Sequence, residues 1–414
     1  MAGLQPVRGT HDLFPPDMRR HRRVIDTARA VAERYGYGEI ATPIFEFSEV
    51  FQRTLGDTSD ILTKEMYSFT DRGGDNLTLR PEYTAGVARA FISGGLQQLL
   101  PLKVFCHGPM FRYERPQKGR LRQFHQIDVE ILGVAGPEAD IEVIALGWDI
   151  LAELGLAKNC VLELNTLGDR ASRQDYRKVL VQYFQAHKAS LSKDSIDRLD
   201  RNPLRILDSK DEADRGVVAG APSFQDHLNQ ASRDFFAAVS GGLDALKIPY
   251  KLNPRLVRGL DYYCHSAFEF TTADLGAQGT VMGGGRYDGL IETMGGPPTP
   301  GIGCAAGIER LAMLIAEPPA PPRPLAVVPL GAEAEARALV LAHSLRRAGF
   351  VVELGYGGNM KKRLQRANKA GARAAVILGE DELKRGAAAV RDLDSGEQSE
   401  VALDWLEAHL ARFR

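Results

Sequence analysis

Residues 111–132, FRYERPQKGRLRQFHQIDVEIL, decide how this chain is read. From Phe124 onward every second residue is chemically useful: Phe124, Gln126, Asp128 and Glu130. Between them lie His125, Ile127, Val129 and Ile131, which are mostly apolar. Strict alternation predicts a half-buried strand whose two faces do different jobs. Ahead of it sits a loop with four cations, Arg115, Lys118, Arg120 and Arg122. Upstream, Arg112 and Glu114 alternate with Phe111 and Tyr113, so pairing the two segments as a hairpin places Arg112, Glu114, Phe124, Gln126 and Glu130 on one sheet surface. That surface offers a ring for stacking, an arginine for an anionic oxygen, and acceptors for a cation or an N–H. An amphipathic strand with solvated charges is the plainer alternative. Three converging features favour a binding surface.

Working outward, 414 residues are too many for one ordinary core, and two or three domains are expected. With 44% apolar and 25% charged residues the composition is that of a soluble globular chain. The formal net charge of −1 supplies no global field toward nucleic acid or membrane, so any polyanion site must be a local cluster. No apolar run approaches the ~18 residues of a membrane span. The opening MAGLQPVRGTHDLFP has neither a signal-peptide core nor a transit-peptide character. Cys106, Cys160, Cys264 and Cys304 are far apart, without ligand spacing, so neither a zinc site nor a disulfide framework is expected. A cytoplasmic location fits best.

In MRRHRRVIDTARAVAERYGYG, Val24, Ile25, Ala28, Val31, Ala32 and Tyr35 share a helical face, and Gly36 is a plausible stop. The run Arg19, Arg20, Arg22, Arg23 reads as a solvated face of that helix. Strands dominate from LKVFCHGPMFRYE to NCVLELNTLG. From about 168 to 225 the chain turns polar and helical, an insertion, before strands resume at LVRGLDYYCHSAFEFTT. PPAPPRP, 318–324, has five prolines in seven residues and is read as a stiff linker. The domains expected are therefore 1–317 and 325–414. In the second, LAVVPL, VVEL and AAVILG alternate with helical stretches, which predicts a small α/β domain with helices on both sheet faces.

Three further constellations bear chemistry. In TLRPEYTAGVARAF, Glu82 and Thr84 precede a helix. They read either as capping groups or as holders of an ammonium. In LVRGLDYYCHSAFEF, Arg258 stands at the entry to a strand bearing Asp261 and Tyr263 on one face and Tyr262 on the other. The glycine triplet 283–285 of MGGGRYDGL lacks the Walker pattern and reads as a tight, bulged turn presenting Arg286 and Tyr287. In GIGCAAGIERLAML, Arg310 falls in a first helical turn, where a cation is unfavourable unless an anion answers it. Glu309 beside it offers a structural answer, a bound phosphate a functional one.

Taken together, RGTHDLFP, LRPEYTAG, FRYERPQKGRLRQFHQ, LVRGLDYY, GGGRYDGL and GIGCAAGIERL closely resemble the histidyl-tRNA synthetases of bacterial type, a family of class II aminoacyl-tRNA synthetases. The resemblance runs nearly end to end. It implies an α+β catalytic domain with an antiparallel sheet flanked by helices, a helical insertion, and a C-terminal α/β anticodon-binding domain. It also implies a homodimer formed through the region around GEIATPIFEF. The substrates implied are ATP, L-histidine and tRNA(His), with Mg²⁺ on the phosphates and no metal held by His or Cys. By the same resemblance Phe124 stacks on adenine, and Arg112, with Glu114, contacts ATP near the α-phosphate. Arg310 holds the far phosphates. Glu130 and Tyr263 bond the imidazole nitrogens, Glu82, Thr84 and Gln126 hold the ammonium, and Tyr287 closes the pocket. Arg258 and Arg112 are the catalytic pair. Arg115, Gln117, Lys118, Arg120 and Arg122 meet the acceptor end of tRNA, and Lys361 and Lys362 belong to a second cationic cluster. The chain departs from the family pattern at Cys264 and at GIGCAAG, both small apolar changes. The rival resemblance is a synthetase-like regulatory subunit of ATP phosphoribosyltransferase, which binds histidine without aminoacylation and lacks a C-terminal tRNA-reading domain.

Overall fold

The computed structural model describes residues 3–55, 65–207, 209, 211–257, 262–276 and 279–414. The chain divides into two compact units, Met1–Pro318 and Pro319–Arg414. The strands, in chain order, are β1 (Gly38–Glu39), β2 (Phe45–Phe47), β3 (Tyr67–Thr70), β4 (Asn76–Leu79), β5 (Leu102–Phe111), β6 (Gln123–Leu132), β7 (Val161–Thr166), β8 (Tyr250–Leu252), β9 (Cys264–Thr271), β10 (Thr280–Arg286) and β11 (Gly301–Gly307) in the first unit. The second unit holds β12 (Leu325–Pro329), β13 (Val352–Leu354), β14 (Ala374–Leu378), β15 (Ala387–Asp392) and β16 (Gln398–Ala402).

The first unit is built on an eight-stranded sheet of order β1-β5-β6-β11-β10-β9-β7-β8, antiparallel except where β1 meets β5 and β7 meets β8. β6 lies near one end, flanked by β5 and β11. Its alternation does what the sequence predicts. Ile127, Val129 and Ile131 enter a core with Val24, Ala28 and Val31 of the helix Pro15–Arg34 and with Val143, Leu146 and Ile150 of the helix Glu138–Glu153. Each such side chain, fully buried, contributes about 1.5–3 kcal/mol. That packing fixes the register, because a one-residue slip would send the apolar set to the opposite face. Phe124, Gln126, Asp128 and Glu130 are therefore committed to the other side.

Two expectations differ from the structure. The first strand of the hairpin ends at Phe111, and Arg112 to Arg122 form an irregular loop pinned by Arg112 N–H donating to the Arg122 carbonyl and by the Gln117–Arg120 bridge. The triplet Gly283–Gly285 is not a turn but the middle of β10, paired on both edges, with register shifts between Thr280 and Met282 and between Gly285 and Arg286. Of the basic run, Arg19 and Arg20 pair with Glu317, while Arg22 and Arg23 are exposed.

Helices Arg170–Ala186, Lys193–Arg201 and Glu212–Ala219 pack on a core of their own around Tyr176, Leu180, Phe184 and Ile206. A small sheet of order β2-β4-β3 leaves Ile44, Phe45, Phe47 and Phe69 exposed. In the second unit the sheet order is β13-β12-β14-β15-β16. Leu325 and Val327 enter one core there, Ala326 and Val328 another, so β12 is buried on both faces. Among the described residues no helix is long and apolar enough to cross a membrane.

Candidate active site

On the face of the eight-stranded sheet away from that core lies a cavity of about 370 Å³. Its floor is nearly bare of side chains. Opposite Gln126, Asp128 and Glu130, β11 places Gly307, Ala305 and Gly303, and β10 places Gly283 and Gly285 beside these. Glycines within strands mark close approach of another group. At Gly303 the approach is extreme, since a Cβ there would lie 1.6 Å from Glu130 Oε2 and 2.6 Å from the Val129 carbonyl oxygen.

One group of lining residues is acidic. Glu82 Oε1 accepts the Ala85 N–H at 2.8 Å at the start of the helix Thr84–Ser93. Thr84, the first residue of that helix, donates its hydroxyl to Glu130 Oε1 at 2.5 Å, and Tyr287 donates its hydroxyl to Glu130 Oε2. Glu82, Thr84, Gln126 and Asp128 line the cavity, whereas Glu130 and Tyr287 lie fully buried beneath it. Burial pushes Glu82 above the usual carboxylate range, Asp128 well above it, and Glu130 to about 7. Repulsion from Glu130 and Glu82 adds to the shift of Asp128.

The other group is cationic. Arg112 lies with its guanidinium 5.1 Å from the centre of the Phe124 ring and donates to the Pro81 carbonyl. Arg310, in the helix Ile308–Leu314, donates to the carbonyls of Gly119 and Thr280. Burial holds Arg310 below the usual arginine range, and Arg120 and Arg112 push it the same way. Glu114 is paired with Arg120. Glu309 is explained structurally, since both its oxygens accept the His125 backbone N–H, at 2.9 and 3.0 Å, and one also meets His125 Nδ1. His21, His125 and Glu309 have ligand atoms within 4.8 Å of one another, but that carboxylate is already engaged by His125.

Tyr263 lines the cavity, and so does Tyr262, with the two rings 4.6 Å apart. Alternation placed them on opposite faces, but both precede β9, where the period of two does not yet hold. Arg258 and Asp261 lie outside the described residues. In the loop, Arg115, Gln117, Lys118 and Arg120 are exposed, while Arg122 covers the Tyr113 ring. Arg286, read as presented by a turn, is fully buried and holds Asp140 and Asp288. Cys304 lines the cavity, and Cys264 accepts the Asp288 N–H. Glu269, with Thr280 donating to it at 2.8 Å, is a wall residue that sequence reading missed. Nothing in its strand pattern distinguishes it from a solvated charge.

The cavity thus sets carboxyls and guanidiniums among apolar lining from Leu121, Phe124, Val281 and Met282. Arg112 and Arg120 act on Arg310, Glu130 and Glu82 act on Asp128, and Arg112 also acts on Glu82. It suits a guest with a cationic and an anionic part.

A family model for histidyl-tRNA synthetase matches residues 9–311, and one for an anticodon binding domain matches 325–412. A histidine–tRNA ligase of Rhodospirillum rubrum is 64% identical over 414 residues, covering all of both chains. One of Gluconacetobacter diazotrophicus is 57% identical over 411 residues and 99% of each chain. The crystal structure of apo S. aureus histidyl-tRNA synthetase superposes with a TM-score of 0.82 at 34% identity, over 98% of this chain and 99% of that one.

Proposed function

The chain belongs to the histidyl-tRNA synthetase family and is a histidine–tRNA ligase, and from that premise we propose how its cavity divides the work. The observation behind the proposal is the charge polarity of a single cavity: buried carboxyls in one group, arginines in the other. Histidine lies with its ammonium toward Glu82, Thr84 and Gln126 and its ring toward Tyr263 and the Glu130–Tyr287 pair. ATP lies toward Phe124, Arg112, Glu114 and Arg310.

The histidine carboxylate is already an adequate nucleophile, so activation needs positioning and charge stabilisation rather than a general base. It attacks the α-phosphorus in line, a carboxylate–phosphorus bond forms, and pyrophosphate leaves. Arg112 stabilises charge on the α-phosphate, and Arg258, by the family resemblance, is assigned the same task. Mg²⁺, when bound, neutralises phosphate charge. Glu269 and Glu114, at the arginine group, are the hard oxygen donors it favours. The terminal ribose hydroxyl of tRNA(His) then attacks the histidyl carbonyl and AMP departs. Arg115, Gln117, Lys118 and Arg120, exposed on the loop, and Arg122 beside them meet that acceptor end.

We further propose a cytoplasmic homodimer. The support is the exposure of Ile44, Phe45, Phe47 and Phe69 on one small sheet, a patch of the kind that a second copy covers. A regulatory role without aminoacylation is disfavoured by the anticodon-binding domain that follows the catalytic one.

The decisive test is histidine-dependent ATP–pyrophosphate exchange without tRNA, on the wild type and on Arg258→Ala. Exchange with histidine alone among amino acids, lost in the variant while histidine still binds, is the expected result. Histidine binding without exchange in the wild type would overturn the assignment.

A further inference from the structure

A second cavity, of about 610 Å³, is bordered by Asp12, Asp17, Arg20, His21, Lys118 and Glu309. Three elements converge beside it. The helix Pro15–Arg34 brings His21, β6 brings His125 from the face opposite Phe124 and Gln126, and the helix Ile308–Leu314 brings Glu309. One nitrogen from each ring and one carboxylate oxygen lie within 4.8 Å of one another. His21 is 5% exposed and meets the His125 ring edge-on, with centres 5.6 Å apart. Among the described residues its ring nitrogens have no hydrogen-bond partner. A buried polar group left so calls for an explanation, and a neutral imidazole is the commonest protein ligand of metal ions.

We propose that His21, His125 and Glu309 hold a divalent transition-metal ion of the zinc class, at a site apart from the Mg²⁺ of the reaction. Two imidazoles and one carboxylate suit zinc, whereas magnesium prefers oxygen alone. His125 Nδ1 and Glu309 Oε1 stand 2.8 Å apart. Two ligands each about 2 Å from one ion lie about 3 Å from each other, so this contact does not close the site. The ion takes the place of the proton shared there, and the His125 ring carries its proton on Nε2 instead. The His125 backbone N–H still reaches both Glu309 oxygens and orients the carboxylate, as supporting hydrogen bonds do around metal ligands. The cavity admits a water as fourth ligand. By joining the first helix, β6 and the helix that carries Arg310, the ion stabilises the folded chain. The inference is independent of how histidine and ATP lie in the other cavity.

The test uses the full chain, stripped with a chelator, dialysed, and titrated with Zn²⁺ by calorimetry and with Co²⁺ by visible absorption. The wild type is expected to take one ion per chain, with a raised melting temperature, and excess Mg²⁺ does not displace it. His21→Asn and Glu309→Gln each weaken binding by about a hundredfold or more, since losing a ligand costs more than losing a supporting partner. His11→Ala, which removes an exposed histidine of the same cavity, keeps the affinity within about threefold. His21→Cys keeps a ligand at that position and gives the Co²⁺ form a sulfur-to-metal charge-transfer band that the wild type lacks. That band decides the matter even where another variant fails to fold. No binding by the wild type, equal binding by wild type and His21→Asn, displacement by Mg²⁺, or no new band with His21→Cys would each overturn the proposal and leave the three residues a packing contact.

Discussion

At the scale of single residues the site is governed by carboxyls whose ionisation burial disfavours. Asp128 lies well above the usual carboxylate range and Glu130 at about 7, both chiefly through desolvation. In the unfolded chain such groups ionise near pH 4. Folding therefore takes up protons above about pH 4, and the contribution of the pair to stability falls as pH rises through the folded-state range of Glu130, about 7, and through the raised range of Asp128. Asp128→Asn removes the acidic partner and lets the new amide donate to Glu130. Relative to the wild type, the variant is expected to gain stability from pH 5 to pH 8. Denaturant titrations of both proteins at the two pH values check this, and a difference independent of pH would mean that the pair holds no proton. Tyr287→Phe acts in the opposite sense. It removes the hydroxyl donated to Glu130 and leaves a buried carboxyl with one donor fewer, a cost of about 1–3 kcal/mol. We expect a lower melting temperature and a raised KM for histidine, with the KM for ATP unmoved; an ATP effect of equal size would place the tyrosine elsewhere in the mechanism.

Elements explain why some of this was legible in the sequence and some was not. The face of β6 could be read because its period of two is enforced locally by Ile127, Val129 and Ile131. The end of β5 at Phe111 could not, because it is set by hydrogen bonds from Arg112 to Arg122 and from Arg122 to Gly9, partners fixed by the folded loop. Gly283–Gly285 look like a turn in isolation, and only β9 and β11 on either side make them a strand. Arg286 looks like a presented cation, yet its partner Asp140 is 146 residues away. The glycines of the sheet are a consequence of what the floor must admit, and their substitutions should differ sharply. Gly303→Ala forces a Cβ to 2.6 Å from the Val129 carbonyl oxygen, which backbone cannot yield cheaply, whereas a Cβ on Gly307 meets nothing nearer than Arg310 Cδ at 3.7 Å. We expect Gly303→Ala to lose about 2 kcal/mol or more and its histidine-dependent exchange, and Gly307→Ala to keep wild-type stability. Similar unfolding midpoints for the two would show that the sheet spreads to accept the methyl group.

For the whole molecule the governing fact is a net charge of −1, which denies tRNA any general attraction and leaves the work to local clusters. Sequence alone marks the run MKKRLQRANKAGAR in the C-terminal unit but treats its cations alike. Folding sorts them. On the helix Met360–Lys369, Arg363 is 5% exposed, donates to the Gly355 and Gly358 carbonyls and pairs with Glu335, so it supports the domain. Arg366 is tied to the carbonyls of Tyr356 and Gly357. Lys361 and Lys362 are exposed in the first turn, on a helix capped by Asn359. Cations there are unfavourable to the helix dipole, and a phosphate backbone would answer them. Neutralising both, as Lys361→Ala with Lys362→Ala, is expected to weaken tRNA binding and to lower the slope of log affinity against log salt by about 1–2, while exchange without tRNA is untouched. Arg363→Ala should do the converse, lowering the stability of the C-terminal unit. Binding isotherms at several salt concentrations, alongside exchange rates and melting curves, separate the two. An unchanged salt slope in the lysine variant would remove this helix from the tRNA path, and equal losses of binding and exchange would make its lysines structural.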